Sequence, residues 1–408
     1  MQTTQGLDQQ TIDIVKSTVP ILEERGSEIT TAFYKRMFQN NPELKNIFNQ
    51  TNQRKGEQAN ALANTVYAAA ANIDQLETIL PAVMPIAEKH RSLNIKPEHY
   101  PIVGENLLAG MREVLGADVA TDEVLAAWEK AYGEIANVFI DIEENMYKNV
   151  QRQEGGWVDY RDFKVVKKVP ESDVITSFYL EPVDGEPIAT HEAGQYITII
   201  ADIPGEDYKH QRQYSLSCAP TEGMYRISVK REEAIGDNPK GVVSNFLHDQ
   251  VKEGSVLPVS APAGDFVLKN TERPLVLISG GVGLTPMMSM LETTISLNPE
   301  RDVTFIHAAQ NGNVHAMRER VQEITNEHNI KSHTIYAEPT TECEGKYNKQ
   351  GYIDYEFLDS VLPGKDADYF FCGPKGFMQA VYHHLKDYGV AEEDINFEFF
   401  GPKQDIAN

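Results

Sequence analysis

Leu275-Val276-Leu277-Ile278-Ser279-Gly280-Gly281-Val282-Gly283-Leu284-Thr285-Pro286 is the stretch whose reading decides the fold. Four consecutive apolar residues ended by a turn suit a strand buried on both faces, as in a parallel sheet. The glycines let a backbone approach a phosphate closely. A helix from Pro286 would add free N–H groups and the positive end of its dipole. Strand, Gly-rich turn and helix in this order point to dinucleotide binding, with a purely structural βα turn as the competing account. Val303-Thr304-Phe305-Ile306-His307 and Tyr369-Phe370-Phe371-Cys372 are further buried strands separated by helical stretches. The alternation predicts an α/β domain with a parallel sheet over residues 269–408.

The two segments upstream differ in kind. Over residues 151–268, Phe163–Val166, Ile175–Leu180, Tyr196–Ile200, Tyr225–Lys230 and Ser255–Val259 are short strands with Gly and Pro turns between them. They predict an antiparallel β-barrel interrupted by one helix at Val243–His248. Residues 1–150 read as all-α: Ile12, Val15, Val19 and Leu22 form one stripe, and Ile29, Phe33 and Met37 another. Trp128, Ala131, Ile135, Val138 and Ile142 form a third. Asn41-Pro42, Asn94–Pro97 and Ala120–Glu123 separate the helices. In Val83–Leu93, Pro85 is placed to begin a helix whose face carries Val83, Ile86, Ala87 and His90. His90 thus points into apolar space, where an imidazole needs a partner: a main-chain carbonyl is the ordinary one, haem iron another.

Bulk properties narrow the function. The chain has 408 residues, enough for two or three domains, with 41% hydrophobic and 24% charged residues. A net charge of −24 argues against nucleic acid or an anionic membrane surface as partner. Cys218, Cys343 and Cys372 lie far apart, without disulfide or metal spacing, which fits a reducing compartment. No signal peptide and no apolar run of the ~20 residues needed to span a bilayer is present, so the expected location is cytoplasmic.

Arg212-Gln213-Tyr214-Ser215-Leu216 follows Gly194-Gln195-Tyr196 in the barrel segment. An arginine can clamp a diphosphate, a tyrosine can stack on a flat ring, and a serine hydroxyl can bond a ring nitrogen. An ordinary strand with an exposed Arg is the alternative. The motif resembles that of the ferredoxin-reductase-like flavoenzymes, where Arg-x-Tyr-Ser holds FAD. That likeness implies a pyrophosphate contact at Gly241-Val242-Val243-Ser244, a Cys372-Gly373-Pro374 turn beside nicotinamide, and an aromatic of Phe399-Phe400-Gly401-Pro402 over the flavin.

Phe33–Phe38, Asn40–Lys45, Asn52-Gln53-Arg54-Lys55 and the pair Gln58 and Leu62 precede His90 in the helical segment. With the reductase motifs behind them, they make the whole chain resemble the flavohaemoglobins, bacterial and fungal nitric oxide dioxygenases. The resemblance implies three modules: an all-α globin at 1–150, the FAD barrel at 151–268 and the NAD(P)-binding α/β domain at 269–408. His90 would be the proximal ligand of haem b iron, with Tyr100 and Glu143 on its far side; Glu144 is adjacent. Tyr34 and Gln58 would hydrogen-bond dioxygen, and Leu62 would crowd the iron. Lys89 and Glu398 match positions that tune haem and flavin. Tyr196, Arg212, Gln213, Tyr214, Ser215 and Phe399–Pro402 match FAD contacts; Gly281, Val282, Gly283, Leu284, Thr285 and Pro286 match NAD(P)H contacts. Three departures from the family stand out: Gly280 where Ala is common, a longer loop at 234–240, and Phe399 where Cys is often found. The implied activity uses NAD(P)H and dioxygen to turn nitric oxide into nitrate, in a monomer. A haem gas sensor and a flavin reductase for external acceptors are the rival readings.

Overall fold

The computed structural model describes residues 6–49, 53, 56–220, 223–236, 239–401 and 406. They fall into two compact units, 6–153 with 200–211 and 401, and 154–199 with 212–400 and 406.

The first unit is helical: α1 Gln9–Ser17, α2 Val19–Asn40, α3 Glu57–Ala71, α4 Leu80–Ser92, α5 His99–Leu115 and α6 Asp122–Arg152. Asp8 caps α1 by accepting the Thr11 N–H at 2.8 Å, and Thr121 caps α6 by accepting that of Val124 at 3.2 Å. Val15, Leu22, Ile29, Phe33, Met37 and Trp128 share one core. The stripe Ile12–Leu22 spans two helices rather than one, divided at Thr18. Along the 31-residue α6 the buried positions after Ala131 are Ala136, Phe139, Glu143 and Met146, not the expected Ile135, Val138 and Ile142. Past Ala131 the helix leaves the first core and packs Ala136 and Phe139 against Val83 and Tyr100 in a second cluster, which leaves Ile135 and Ile142 only partly buried. Pro85 does not begin the helix that carries His90. That helix starts at Leu80 with Pro81 in its first turn, and Pro85 lies inside it. The short turn Leu76–Ile79 leads into the helix, so Pro85 forfeits only the bond its N–H would make to the Pro81 carbonyl.

The second part of the chain holds two six-stranded sheets. The first comprises β1 Tyr160–Pro170, β2 Ile175–Pro182, β3 Tyr196–Ala201, β4 His210–Ser215, β5 Tyr225–Lys230 and β6 Val256–Ser260, in the order β4-β3-β6-β1-β2-β5. Just past β4, Leu216 bridges Ile227 of β5 and the Ser217 N–H bonds the Arg226 carbonyl at 2.8 Å, which brings the two edges together into a barrel. Helix α7, Val242–Asp249, lies between β5 and β6. The second sheet comprises β7 Leu275–Gly280, β8 Val303–Ala309, β9 Ile330–Tyr336, β10 Lys349–Gln350, β11 Asp368–Cys372 and β12 Ile395–Glu398. It is parallel throughout, in the order β10-β9-β8-β7-β11-β12. Its helices are α8 Leu284–Leu297, α9 Arg318–Glu327, α10 Tyr355–Val361 and α11 Lys375–Tyr388. Helix α8 starts two residues before Pro286, after a tight turn at Gly281–Gly283.

One buried carboxylate ties this sheet together at the starts of its strands. Asp368, 1% exposed, takes Arg301 at 2.7 Å on one oxygen and Arg273 at 2.9 Å on the other. Removing it leaves the buried Arg301 uncompensated. Asp368→Ala is expected to cost about 3–5 kcal/mol in chemical denaturation.

His191 is 2% exposed in the barrel, and its Nε2 bonds the Cys218 carbonyl at 3.1 Å. Burial pushes its pKa down from 6.5 to about 4. Above pH 6.5 both folded and unfolded states are neutral at this site. As pH falls toward 4 only the unfolded chain takes up the proton, so stability is lost over that window. The expected loss is about 1 kcal/mol per pH unit. Urea unfolding at pH 7, 6 and 5, read by Trp157 fluorescence in a Trp128→Phe background, should show a shallower pH dependence for His191→Gln than for the parent.

Candidate functional site

The helical unit concentrates its buried polar chemistry around His90, in the last turn of α4. Its Nδ1 lies 2.7 Å from Glu143 Oε1 and 3.2 Å from the Tyr100 hydroxyl, which itself donates to the same Glu143 oxygen at 2.7 Å. Glu143 is 3% exposed, on the inward face of α6. Its neighbour Glu144 is exposed and pairs with Lys148 at 2.7 Å, so the choice between the two carboxylates falls on Glu143. Burial, then the Glu143 charge, pushes the Tyr100 phenol well above its ordinary value, so it stays a donor. The Tyr132 hydroxyl holds the Tyr100 carbonyl at 2.7 Å, and Phe139 flanks the imidazole at 5.8 Å between ring centroids. With Nδ1 committed to a carboxylate, the proton sits there and Nε2 carries the lone pair. That is the arrangement of a histidine that ligates a metal.

Tyr34 on α2 stands among Phe33, Phe38 and Phe48, with centroids 4.7, 5.9 and 5.7 Å away. These apolar surroundings push its phenol pKa upward, and its hydroxyl bonds Gln53. The Gln53 amide in turn donates to the Gln58 side-chain oxygen. Tyr34, Gln53 and Gln58 thus form one polar chain, with Leu62 on the next turn of α3 packed into the core beside it. Gln53 is the residue that sequence reasoning passed over. It stands in the quoted Asn52–Lys55 stretch, but nothing in the spacing marks it, because its partners come from another helix. Asn52, Arg54 and Lys55 lie outside the described residues.

In the barrel, β3 and β4 carry Tyr196, Arg212, Gln213, Tyr214 and Ser215. The Gln213 amide reaches the Thr198 hydroxyl at 3.4 Å. Burial lowers the Arg212 guanidinium from its ordinary value, with Tyr214 beside it opposing the shift, and burial raises the Tyr214 phenol. A desolvated guanidinium on a strand is suited to an anionic ligand. At α7 the Ser244 hydroxyl donates to the Gly241 carbonyl and accepts the Glu232 N–H, both at 3.2 Å. Ser244 therefore clasps its own loop. The anion donors at this place are the first main-chain N–H groups of α7, which no side chain caps.

The Gly-rich turn after β7 is shaped by two glycines. Gly281 has φ +54°, and a Cβ on Gly283 would lie 2.2 Å from the Cys372 carbonyl oxygen. The Gly281–Pro286 turn and the Cys372-Gly373-Pro374 turn are thereby pressed together at the ends of adjacent strands, where Ser279 and Cys372 are register partners. Thr285 is turned inward, its hydroxyl on the Val282 carbonyl at 3.1 Å. Cys372 is fully buried, and burial with the charge of Glu398, its register partner on β12, pushes the thiol well above its ordinary range. Phe399 packs edge-on against Phe397 at 5.9 Å, whereas Phe400 is 51% exposed and so is the aromatic free to cover a ligand. Lys89 sits beside His90 in the last turn of α4. Pro402 lies outside the described residues, and Gly401 is exposed.

Comparison with known proteins agrees with this division of chemistry. Residues 31–139 match the globin family, and 277–383 match the oxidoreductase NAD-binding domain family. A flavohemoprotein of Oceanobacillus iheyensis is 58% identical over 407 residues, covering 99% of both chains. The crystal structure of a flavohemoglobin from Malassezia yamatoensis with bound FAD and heme superposes with a TM-score of 0.82 at 28% identity, over 97% of this chain and 100% of that one. The FAD/NAD-binding domain of a nitric oxide dioxygenase from Vibrio cholerae is 39% identical, covering 59% of this chain and 98% of its own, with a TM-score of 0.55. Among the described residues no helix is long and apolar enough to cross a membrane. At this identity over nearly its full length, the chain belongs to the flavohemoprotein family.

Proposed function

We propose that this chain is an NAD(P)H-dependent nitric oxide dioxygenase, built as a haem b globin at 1–150, an FAD barrel at 151–268 and an NAD(P)-binding domain at 269–408. The observation that carries the reading is the His90–Glu143–Tyr100 triangle. A histidine bonded to a buried carboxylate is a stronger electron donor than one bonded to a carbonyl, and that favours oxygen chemistry over reversible binding. The likeness to the FAD/NAD-binding domain of a Vibrio cholerae nitric oxide dioxygenase supports the choice of substrate. Two molecules of nitric oxide and two of dioxygen consume one NAD(P)H and give two nitrates, one NAD(P)+ and one proton.

The residues present fit all three groups. His90 has only Nε2 left for iron, Arg212 and the uncapped α7 N-terminus offer charge and N–H groups to a pyrophosphate, and the Gly281–Gly283 turn leaves a nucleotide room that side chains would fill. When bound, haem supplies the iron at which dioxygen meets nitric oxide, FAD divides a hydride into single electrons, and NAD(P)H supplies the hydride. Glu143 holds the His90 Nδ1 proton and sharpens the Nε2 lone pair, while Tyr100 shares the carboxylate oxygen and limits its charge. Tyr34 offers an O–H that its apolar surroundings keep protonated, and Gln58 stands in the same polar chain. Leu62 keeps water out. Tyr196, Gln213, Tyr214 and Ser215 position the flavin, and Gly241–Ser244 its diphosphate. Gly281–Pro286 positions the nucleotide, with Cys372 and Glu398 at its reactive end and Phe400 as the cover of the flavin ring. The three free thiols suit a reducing, cytoplasmic setting, and a monomer completes the reading.

The purified protein should show a Soret band and consume nitric oxide rapidly with NAD(P)H and oxygen; His90→Ala should lose both. Retention of both by that variant would falsify the assignment. Glu143→Gln should keep haem but turn over at least tenfold more slowly, and an unchanged rate would remove the carboxylate from the mechanism. Tyr34→Phe deletes one hydrogen bond to a polar ligand, worth about 1–2 kcal/mol. Its oxygen dissociation rate in stopped flow should therefore rise about 5- to 30-fold, with the haem spectrum retained.

A further inference from the structure

The nucleotide turn and the flavin-binding strand stand on different domains, and one carboxylate joins them. Glu292 lies on α8, within two turns of the Gly281–Pro286 stretch that opens this helix. It faces Arg226 of β5 and the segment Cys218-Ala219, which follows shortly after Arg212–Ser215. Ala219 donates its N–H to Glu292 Oε2 at 3.2 Å, and Arg226 Nη2 lies 3.3 Å from Oε2 and 3.4 Å from Oε1. Arg320 of α9 adds its Nε to Oε1 at 3.3 Å. One turn earlier on the same face of α8, the Ser289 hydroxyl donates to the Cys218 carbonyl at 2.7 Å, the same carbonyl that His191 reaches from the barrel.

This pair differs from an ordinary surface ion pair. The Arg226 and Glu292 side chains are only 12% and 11% exposed. Arg226 is also aimed by its own domain: its Nη2 donates to the Ser217 carbonyl, and its Nε to the Ser217 hydroxyl at 3.2 Å. That hydroxyl meets Ser228 at 2.8 Å, and Ser228 meets Ser177 at 2.7 Å, a buried row of hydroxyls across the barrel. Apolar packing joins the same two domains, with Ile175, Ala193 and Phe266 of the barrel segment in one core with Met287, Met290 and Leu291 of α8. Such packing is non-directional, and methionines adapt to more than one arrangement. A secluded ion pair of fixed geometry is directional and so can select one of them.

We propose that Glu292 is a positioning residue for hydride transfer: held by Arg226 and the Ala219 N–H, it locks α8 lengthwise against the barrel and keeps the nucleotide turn in register with the flavin-binding strand β4. The proposal rests on the NAD(P)H–FAD half of the function proposed above. Hydride transfer tolerates little error of approach, since a misplacement of about 1 Å can cost about a hundredfold in rate. Nucleotide affinity comes instead from the turn of the α/β domain itself. Loss of the carboxylate therefore slows flavin reduction and leaves NAD(P)H binding as it was. Glutamine at this position keeps one acceptor oxygen and loses the charge, whereas aspartate keeps the charge and both oxygens on a shorter stem.

Anaerobic stopped flow of the full-length protein, its haem held ferric by cyanide, follows reduction of the flavin by NAD(P)H. Glu292→Gln should lower the limiting rate about tenfold or more, with the apparent Kd for NAD(P)H unchanged within about twofold. Glu292→Asp should recover part of the loss, and Arg226→Gln should reproduce it. Asp302→Asn, which removes an exposed carboxylate paired with Lys331 at 3.1 Å, should leave the rate unchanged. Hydrogen exchange gives a reading apart from activity: in Glu292→Gln it should quicken at the Ala219 amide while the β7 amides keep their protection. The proposal is overturned if Glu292→Gln reduces the flavin at the parent rate, or if its rate falls only through weaker NAD(P)H binding. It is equally overturned if β7 loses protection together with Ala219, because Glu292 would then support the fold rather than the approach. A parent flavin that NAD(P)H does not reduce would bring down the functional reading, and this proposal with it.

Discussion

A single carboxylate oxygen organises the helical unit. Glu143 Oε1 receives both the imidazole of His90 and the hydroxyl of Tyr100, drawn from three different helices. A buried carboxylate is costly unless its lone pairs are filled, and here the two donors that fill them fix the geometry of α4, α5 and α6. Tyr132 and Phe139, on the same helix as Glu143, then hold Tyr100 and His90 from behind. The polar triangle survives burial because every member satisfies another. The one imidazole nitrogen left over, Nε2, is defined by what remains.

The same economy operates in the α/β domain. Asp368 answers two arginines that enter ahead of different strands, so the N-terminal ends of β7, β8 and β11 are set by charge while their C-terminal ends stay free for glycine turns. The chemistry therefore sits at the end of the sheet where backbone, not side chains, comes closest to a ligand. The contact between Gly283 and the Cys372 carbonyl is the tightest expression of this. Ligands of open parallel sheets gather at that end for the same reason.

Much of this was legible in the chain itself. Apolar runs such as Leu275–Ile278 and Tyr369–Cys372 declare buried strands whatever surrounds them, and both lie within the parallel sheet. Arg212–Ser215 marked a binding motif, although β4 was not counted among the strands because its residues, His210-Gln211-Arg212-Gln213, lack β-branched alternation. Closure by neighbouring strands makes it a strand. The start of α4 was misplaced because two prolines, Pro81 and Pro85, could each occupy a first turn, and only the preceding turn at Leu76–Ile79 decides between them. Gln53 was invisible because it acquires meaning from Tyr34 on another helix, and periodicity carries no information about that pairing.

The interior proline of α4 has a mechanical consequence. Without an N–H at Pro85, the Leu80–Met84 half of the helix is joined to the His90 turn by one rung fewer. The C-terminal side is fastened instead: the His90 carbonyl accepts N–H groups from Leu93 and Ile95, and the Ile95 carbonyl is held by Tyr147 at 2.8 Å. Thermal opening should therefore begin at the N-terminal half and stop short of the histidine. A bulky group can be admitted by yielding that half alone, with the His90 imidazole already fixed in direction before the group arrives.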